Sequence, residues 1–189
     1  MEEKERYKHL NKYLKEKFGE RTLKICIDGG FTCPNRDGTL STKGCIFCSE
    51  KGSGELIRCG FGDTITEKIS NQVKNYFNSY RSERANKFIA YFQNYTNTFM
   101  PLDIFQKYML EASKVPDIVE IAISTRPDCI REDYLDVLNR IRETTGIQIT
   151  IELGLQTVNY HTLKRISRGH TLAEYIDAVL RISRYGYDI

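Results

Sequence analysis

Apolar positions along this chain follow two alternating spacings. Tyr7, Leu10, Leu14 and Phe18 recur every three or four residues among charges, which predicts an amphipathic helix over 3–18. TLKICI, at 22–27, is short, continuous and β-branched, and predicts a strand. KFIAYF (87–92), VEIAIS (119–124) and IQITIELG (147–154) predict three more strands. Helical spacing returns after each of them. Ile104, Phe105, Tyr108, Met109 and Ala112 mark one helix, and Tyr134, Leu135, Leu138 and Ile141 mark another. Two helical pieces are expected after the fourth strand. The second opens on Thr171 with Glu174 three residues on, the signature of a capping box. Its expected apolar face is Leu172, Tyr175, Ile176, Val179 and Leu180. One more helix, over about 64–80, precedes the second strand.

Strands alternating with helices imply a parallel sheet with right-handed crossovers. The final YGYDI has the pattern of a fifth strand just opening. A parallel sheet with a newly opened edge is unfinished. The expected architecture is α/β, a partial barrel cut short after about four βα units. Residues 1–21 form a helical extension and 22–189 the barrel portion.

Length and composition narrow the class. A chain of 189 residues supports one core. No apolar run approaches the roughly 20 residues of a membrane span, so no membrane partner is expected. The first twenty residues are charged from the second position and contain no apolar h-region. The expected compartment is the cytoplasm, where clustered cysteines bind metal more often than they form disulfides. A net charge of +3 permits a nucleic-acid partner and is too small to imply one.

The chemistry concentrates in one loop, 28–62, which holds eight glycines and four of the six cysteines, three of them, Cys33, Cys45 and Cys48, within sixteen residues. A long loop inside a compact domain is usually functional. Three thiolates can hold a four-iron, four-sulfur cluster and leave one iron open for reaction. A zinc knuckle with Cys59 or Cys26 as fourth ligand is the other reading, and it usually pairs two C-x-x-C hooks where this chain has one. Cys26, in a strand, and Cys129, in TRPDCI, are expected to pack.

CPNRDGT followed by GCIFCSEKGSGE resembles the cluster loop of radical S-adenosylmethionine (SAM) enzymes, in particular a bacterial group with eleven residues between the first two cysteines. Phe47, just before the last cysteine, fits that superfamily. YFQNYTNT, STRPDCI, ELGLQT and RGHT follow in the order of that group, which is related to the Elongator catalytic subunit and to oxygen-independent coproporphyrinogen oxidase. The resemblance covers about 6–189. It implies a (β/α)6-type radical SAM barrel of which the later strands are absent.

The resemblance further implies that Cys33, Cys45 and Cys48 hold a [4Fe-4S] cluster whose open iron chelates SAM, with an electron donor such as flavodoxin or ferredoxin as partner. Gln156 and Arg168 resemble positions that contact SAM in the coproporphyrinogen oxidase relatives, Arg168 as a clamp on the carboxylate. Ser124 is a candidate for the ribose hydroxyls. Gln93, Asn94 and Thr96 stand where many relatives carry a glycine-rich segment that meets the SAM ammonium. Arg126 and Asp128 follow a strand directly and are read as active-site residues, with a structural ion pair as the other possibility. The implied substrate is a modified nucleobase side chain, on the wobble uridine of transfer RNA or on a queuine-like base, with carbon–nitrogen cleavage as a suitable reaction. A small-molecule oxidoreductase and a non-enzymatic zinc module are the alternatives.

Overall fold

The computed structural model describes residues 6–50, 52, 61–80 and 82–189. In chain order its elements are α1 (Leu10–Phe18), β1 (Thr22–Ile27), α2 (Ile65–Phe77), β2 (Lys87–Phe92), α3 (Leu102–Ser113), β3 (Ile118–Thr125), α4 (Glu132–Thr145), β4 (Gln148–Leu153), α5 (Tyr160–Arg165) and α6 (Leu172–Arg184). The four strands form one parallel sheet in the order β1-β2-β3-β4, so every strand pairs with its neighbour in sequence. This is the expected partial β/α fold. The final segment adds a single parallel bridge, Thr150 to Asp188, where a fifth strand was expected to open.

Alternation along the strands sorts side chains onto two faces. Ile25 and Ile27, Ala90 and Phe92, Ile121 and Ile123, and Ile149 and Ile151 point to one side and pack with α2, α3 and α4 in the main core. The opposite face carries Lys24, Tyr91, Glu120, Ser124 and Glu152, residues that would be out of place in an oily core. It is the concave, barrel-interior face. Its amino end is covered by α1, through a small cluster of Leu14, Ile89 and Ala122 with Phe18 and Tyr91 against it. Lys17 of α1 reaches over this cluster to Glu120 at 2.5 Å and to Asp188 at 2.7 Å.

Two expectations need correction. The first helix begins at Leu10, not near residue 3; among the described residues, 6–9 are not helical. Tyr7 and Leu10 are exposed, and His9 provides no side-chain cap. Neither burial nor capping therefore stabilises the costly first turn there. The second correction concerns α6. Its capping box forms as expected, but Ala178 and Ile182 face the core, whereas Leu172, Ile176 and Leu180 are exposed. The larger apolar residues mark the wrong face because the small Ala178, with Ile182, is what sits against the core, where the helix passes the turn at Pro127–Cys129 after β3. Among the described residues no helix is long and apolar enough to cross a membrane.

Candidate functional site

Parallel strands gather the loops that follow them at one end. Here that end holds a cavity of about 350 Å3. Its walls include all three clustered cysteines from the loop after β1, Gln93 and Thr96 after β2, Ser124 at the end of β3, and Gln156 and Arg168 after β4. Residues separated by up to 135 positions are thus brought to one site by topology alone. Asn94 is the exception among the candidates. It is buried beneath the lining, and its Nδ2 donates to Asp28 Oδ2 at 3.1 Å.

Local hydrogen bonds fix the cysteine loop. Arg36 and Asp37 N–H groups donate to Cys33 O, and Gly44 N–H to Asn35 O at 2.8 Å. Arg36 Nη2 donates to the carbonyls of Cys48 and Ser49. Gly44 has φ +74°, and a β-carbon there would come within 2.9 Å of the Arg36 guanidinium. The glycine is therefore required both by its backbone conformation and by the arginine that staples the loop.

Asn35 carries the loop onto the far wall. Its Nδ2 donates to Ser167 O at 2.8 Å and Arg168 O at 3.0 Å, and stands 3.3 Å from Cys45 Sγ. Arg126 donates to the same Arg168 carbonyl at 2.8 Å, while its Nε and Nη2 grip both oxygens of Asp128. Arg126 is 1% exposed. With its fork on Asp128 it braces the β3 loop against Arg168, and it also lines the cavity, so the ion pair forms at the site itself. Neither Asn35 nor Arg36 was singled out from sequence. The signal was the CPNRDG run itself, in which two polar side chains directly follow a candidate ligand.

Arg168 is buried at the mouth of the site. Its Nε and Nη2 donate to Gly154 O at 3.2 and 2.6 Å, Nε also to His170 Nε2 at 2.9 Å, and Nη1 points at Cys45 Sγ at 3.7 Å. His170 Nε2 also lies 3.1 Å from Gly154 O, and Nδ1 lies 3.2 Å from Thr171 O, so either ring nitrogen has a carbonyl within reach of its proton. Burial and the adjacent Arg168 cation hold the His170 pKa below its ordinary value. Gln156 adopts φ +72°, a conformation uncommon for a residue with a β-carbon. Such strain concentrates at functional sites.

The floor of the cavity is polar. Glu152 accepts from Lys24 at 2.6 Å, from Tyr91 at 2.6 Å and from Ser124 at 3.0 Å. Burial alone would raise its pKa; the three donors outweigh that and hold it below the usual value. Burial and the Glu152 carboxylate push the Tyr91 phenol well above its ordinary range. Above this floor, Thr96 is 1% exposed and its Oγ1 has no hydrogen-bond partner among the described residues. A buried hydroxyl left unpaired in a polar cavity suits a polar ligand.

The donor set fits an iron–sulfur cluster. Three thiols, the soft ligands such clusters take, line one cavity. Among the described residues no group of three His, Cys, Asp or Glu side chains is arranged to hold a single metal ion. One tetrahedral zinc needs sulfurs about 3.8 Å apart, whereas a cluster binds each thiolate through a different iron and spreads them. Cys59 lies outside the described residues. Burial pushes the Cys129 thiol up to about 12, which makes it inert and matches a packing role.

A family model for the radical SAM superfamily matches residues 33–189. Among curated proteins, the uncharacterized protein YtqA of Bacillus subtilis (strain 168) is 39% identical over 181 residues, covering 96% of this chain and 54% of the relative. Protein YhcC of Escherichia coli (strain K12) is 36% identical over 162 residues, covering 86% and 50%. The uncharacterized protein MJ0486 of Methanocaldococcus jannaschii is 30% identical over 178 residues, covering 94% and 52%. The chain spans about half the length of the curated relatives it matches. Among solved structures, archaeal Methanocaldococcus infernus Elp3 with an N-terminal deletion aligns with a TM-score of 0.45 and 17% identity, over 83% of this chain and 34% of that one.

Proposed function

This chain belongs to the radical SAM superfamily, and from that premise we propose that it is the cluster- and SAM-binding part of an enzyme acting on the side chain of a modified nucleobase. The observation that carries the cofactor half is the single cavity shared by Cys33, Cys45 and Cys48 with Ser124, Gln156 and Arg168. Superfamily members generally use a [4Fe-4S] cluster and SAM. When bound, the pair supplies a 5′-deoxyadenosyl radical by reductive cleavage of a carbon–sulfur bond, which leaves methionine.

The chain's own residues have these tasks. Cys33, Cys45 and Cys48 ligate the cluster, and a reducing cytoplasm keeps them available. Asn35 and Arg168 place an amide donor and a positive charge against the Cys45 sulfur. Such hydrogen bonds are among the factors that set a cluster's potential. With the Nε edge of Arg168 held by Gly154 O and His170, the Nη1 side is what remains for a carboxylate. Thr96 Oγ1 and Gln156 offer further polar contacts, and Ser124, anchored on Glu152, offers its hydroxyl to a ribose. An electron donor of flavodoxin or ferredoxin type supplies the reducing equivalent.

The nucleobase half is supported by the motif series YFQNYTNT, STRPDCI, ELGLQT and RGHT, which resembles the group related to the Elongator catalytic subunit. A carbon–nitrogen bond in an aminomethyl side chain is a suitable target for hydrogen abstraction.

The test uses full-length protein reconstituted without oxygen with iron and sulfide, then given SAM and dithionite. Iron with sulfide in roughly the 4:4 ratio of such clusters, and formation of 5′-deoxyadenosine, are expected. Cys33→Ala, Cys45→Ala and Cys48→Ala should each lose both, and Cys129→Ala neither. Absence of 5′-deoxyadenosine with a loaded cluster overturns the cofactor reading. Mass spectrometry of transfer RNA nucleosides from a deletion strain tests the substrate: an accumulated wobble precursor supports it, and an unchanged profile overturns it.

A further inference from the structure

The mouth of the cavity is walled by two segments that contain no carboxylate. One is 38–49, the tip of the cysteine loop; the other is 153–173, from the end of β4 to the first turn of α6. In a chain of 189 residues with 25 carboxylates, both stretches leave the rim without an acidic side chain of their own, as do 68–82 and 84–102 elsewhere in the chain. The segments face each other. Ile46 N–H donates to Ile166 O at 3.2 Å, just beside the Asn35 contacts to Ser167 and Arg168.

The charges on this rim are positive and exposed: Lys43 on one side, Lys164 and Arg165 on the other. None of the three forms an ion pair among the described residues. Two of the flanking carboxylates are engaged locally, while Glu50 is exposed at the end of the first segment. Asp37 accepts from Thr39 N–H at 2.9 Å, and Glu174 from Thr171 N–H at 2.6 Å. Between the two walls runs a groove of about 490 Å3, bordered by Leu40, Ser41, Tyr160, Lys164, Ser167 and Thr171. Tyr160 is 61% exposed at its edge, and Phe47 is 54% exposed at the cavity.

These cations do not serve SAM, whose sulfonium and ammonium they would repel and whose single carboxylate is met deeper, at Arg168. Exposed cations without acidic neighbours suit a chain of phosphates. Exposed aromatic rings beside them suit unstacked bases, and single-stranded RNA is read by this combination of stacking and charge. We propose that this rim seats an RNA strand. Phosphates lie along Lys43, Lys164 and Arg165, and a base flanking the target stacks on Tyr160 while the target base enters the cavity. The inference rests on the nucleobase reading above, and it makes the substrate RNA and not a free base.

The test measures binding of transfer RNA from the deletion strain to full-length, cluster-loaded protein over a range of salt concentrations. The Lys164→Gln/Arg165→Gln double variant should lower the slope of log affinity against log salt by about two, roughly one per lost phosphate contact. Tyr160→Ala should weaken binding about tenfold with the slope unchanged. Formation of 5′-deoxyadenosine with dithionite should be the same in all variants, because none of these residues lines the SAM cavity. An unchanged slope in the double variant overturns the proposal. So does retained RNA affinity combined with activity lost only when a flavodoxin replaces dithionite, which would make the rim the donor's docking site. Failure of the parent protein to form 5′-deoxyadenosine would instead overturn the radical reading, and the RNA slope would still report on the rim.

Discussion

Gly154 has no room for a β-carbon. One built there would stand 2.6 Å from Arg168 Nη2 and 3.2 Å from Gln156 Nε2. Its backbone is not in the left-handed region, so an alanine would be strained by its neighbours alone. Gly154→Ala is expected to push the Arg168 guanidinium off the Gly154 carbonyl while every thiol stays in place. SAM affinity of the cluster-loaded protein should fall about tenfold, equivalent to about 1.4 kcal/mol, with iron content unchanged. SAM binding as tight as the parent's would show that the position of Arg168 does not matter. At this scale the sequence was only partly legible. Arg168 and Gln156 were found because they sit in short motifs after a strand. Asn35 and Arg36 act mainly by donating to backbone carbonyls elsewhere in the chain, a partnership that no spacing encodes, and the same holds for the one Arg126 bond that reaches Arg168 O.

Among the elements, the strands were the most legible. TLKICI and KFIAYF are β1 and β2 without change of boundary, because a strand covered on both faces reads as a continuous apolar run. Helices were legible where an apolar stripe meets the sheet, as in α3 and α4. They were misread at α1 and α6, where exposed apolar residues imitate a buried stripe. The packing of α1 joins one lysine to its apolar residues. Lys17 is the partner of Glu120, whose side chain is 5% exposed on the barrel interior. Lys17→Met would keep the bulk and leave that carboxylate buried without its cation. Breaking such a pair typically costs about 3–5 kcal/mol. The urea midpoint should fall accordingly, and the double variant Lys17→Met/Glu120→Gln should recover much of the loss. If the single variant is as stable as the parent, α1 is held by Leu14 and Phe18 alone.

At the scale of the whole molecule, the interior is layered from α1 upward: an apolar plug, a polar floor, the cavity, and the cysteine loop above it. Fold class and the convergence of loops at one end were legible, since βα alternation fixes which end each loop occupies. The floor was not, because its members come one from each strand, Lys24 from β1, Tyr91 from β2, Ser124 from β3 and Glu152 from β4. The side to which Glu152 points follows only from the register of the assembled sheet. Glu152 therefore ties all four strands together, and its titration should be visible in global stability. Its folded pKa lies below the usual 4.5, so the unfolded chain binds the proton first as pH falls. The stability it contributes is fully present above about pH 4.5 and is lost as pH drops through the lower folded value. Glu152→Gln, which also strands Lys24, should be less stable than the parent at pH 6.5, with the gap narrowing below pH 4.5. Urea unfolding of cluster-free parent and variant at both ends of this range measures it, so that acid release of iron does not enter. A gap that stays constant with pH would mean that the carboxylate titrates alike in folded and unfolded chains, and that the floor does not join the strands through its charge.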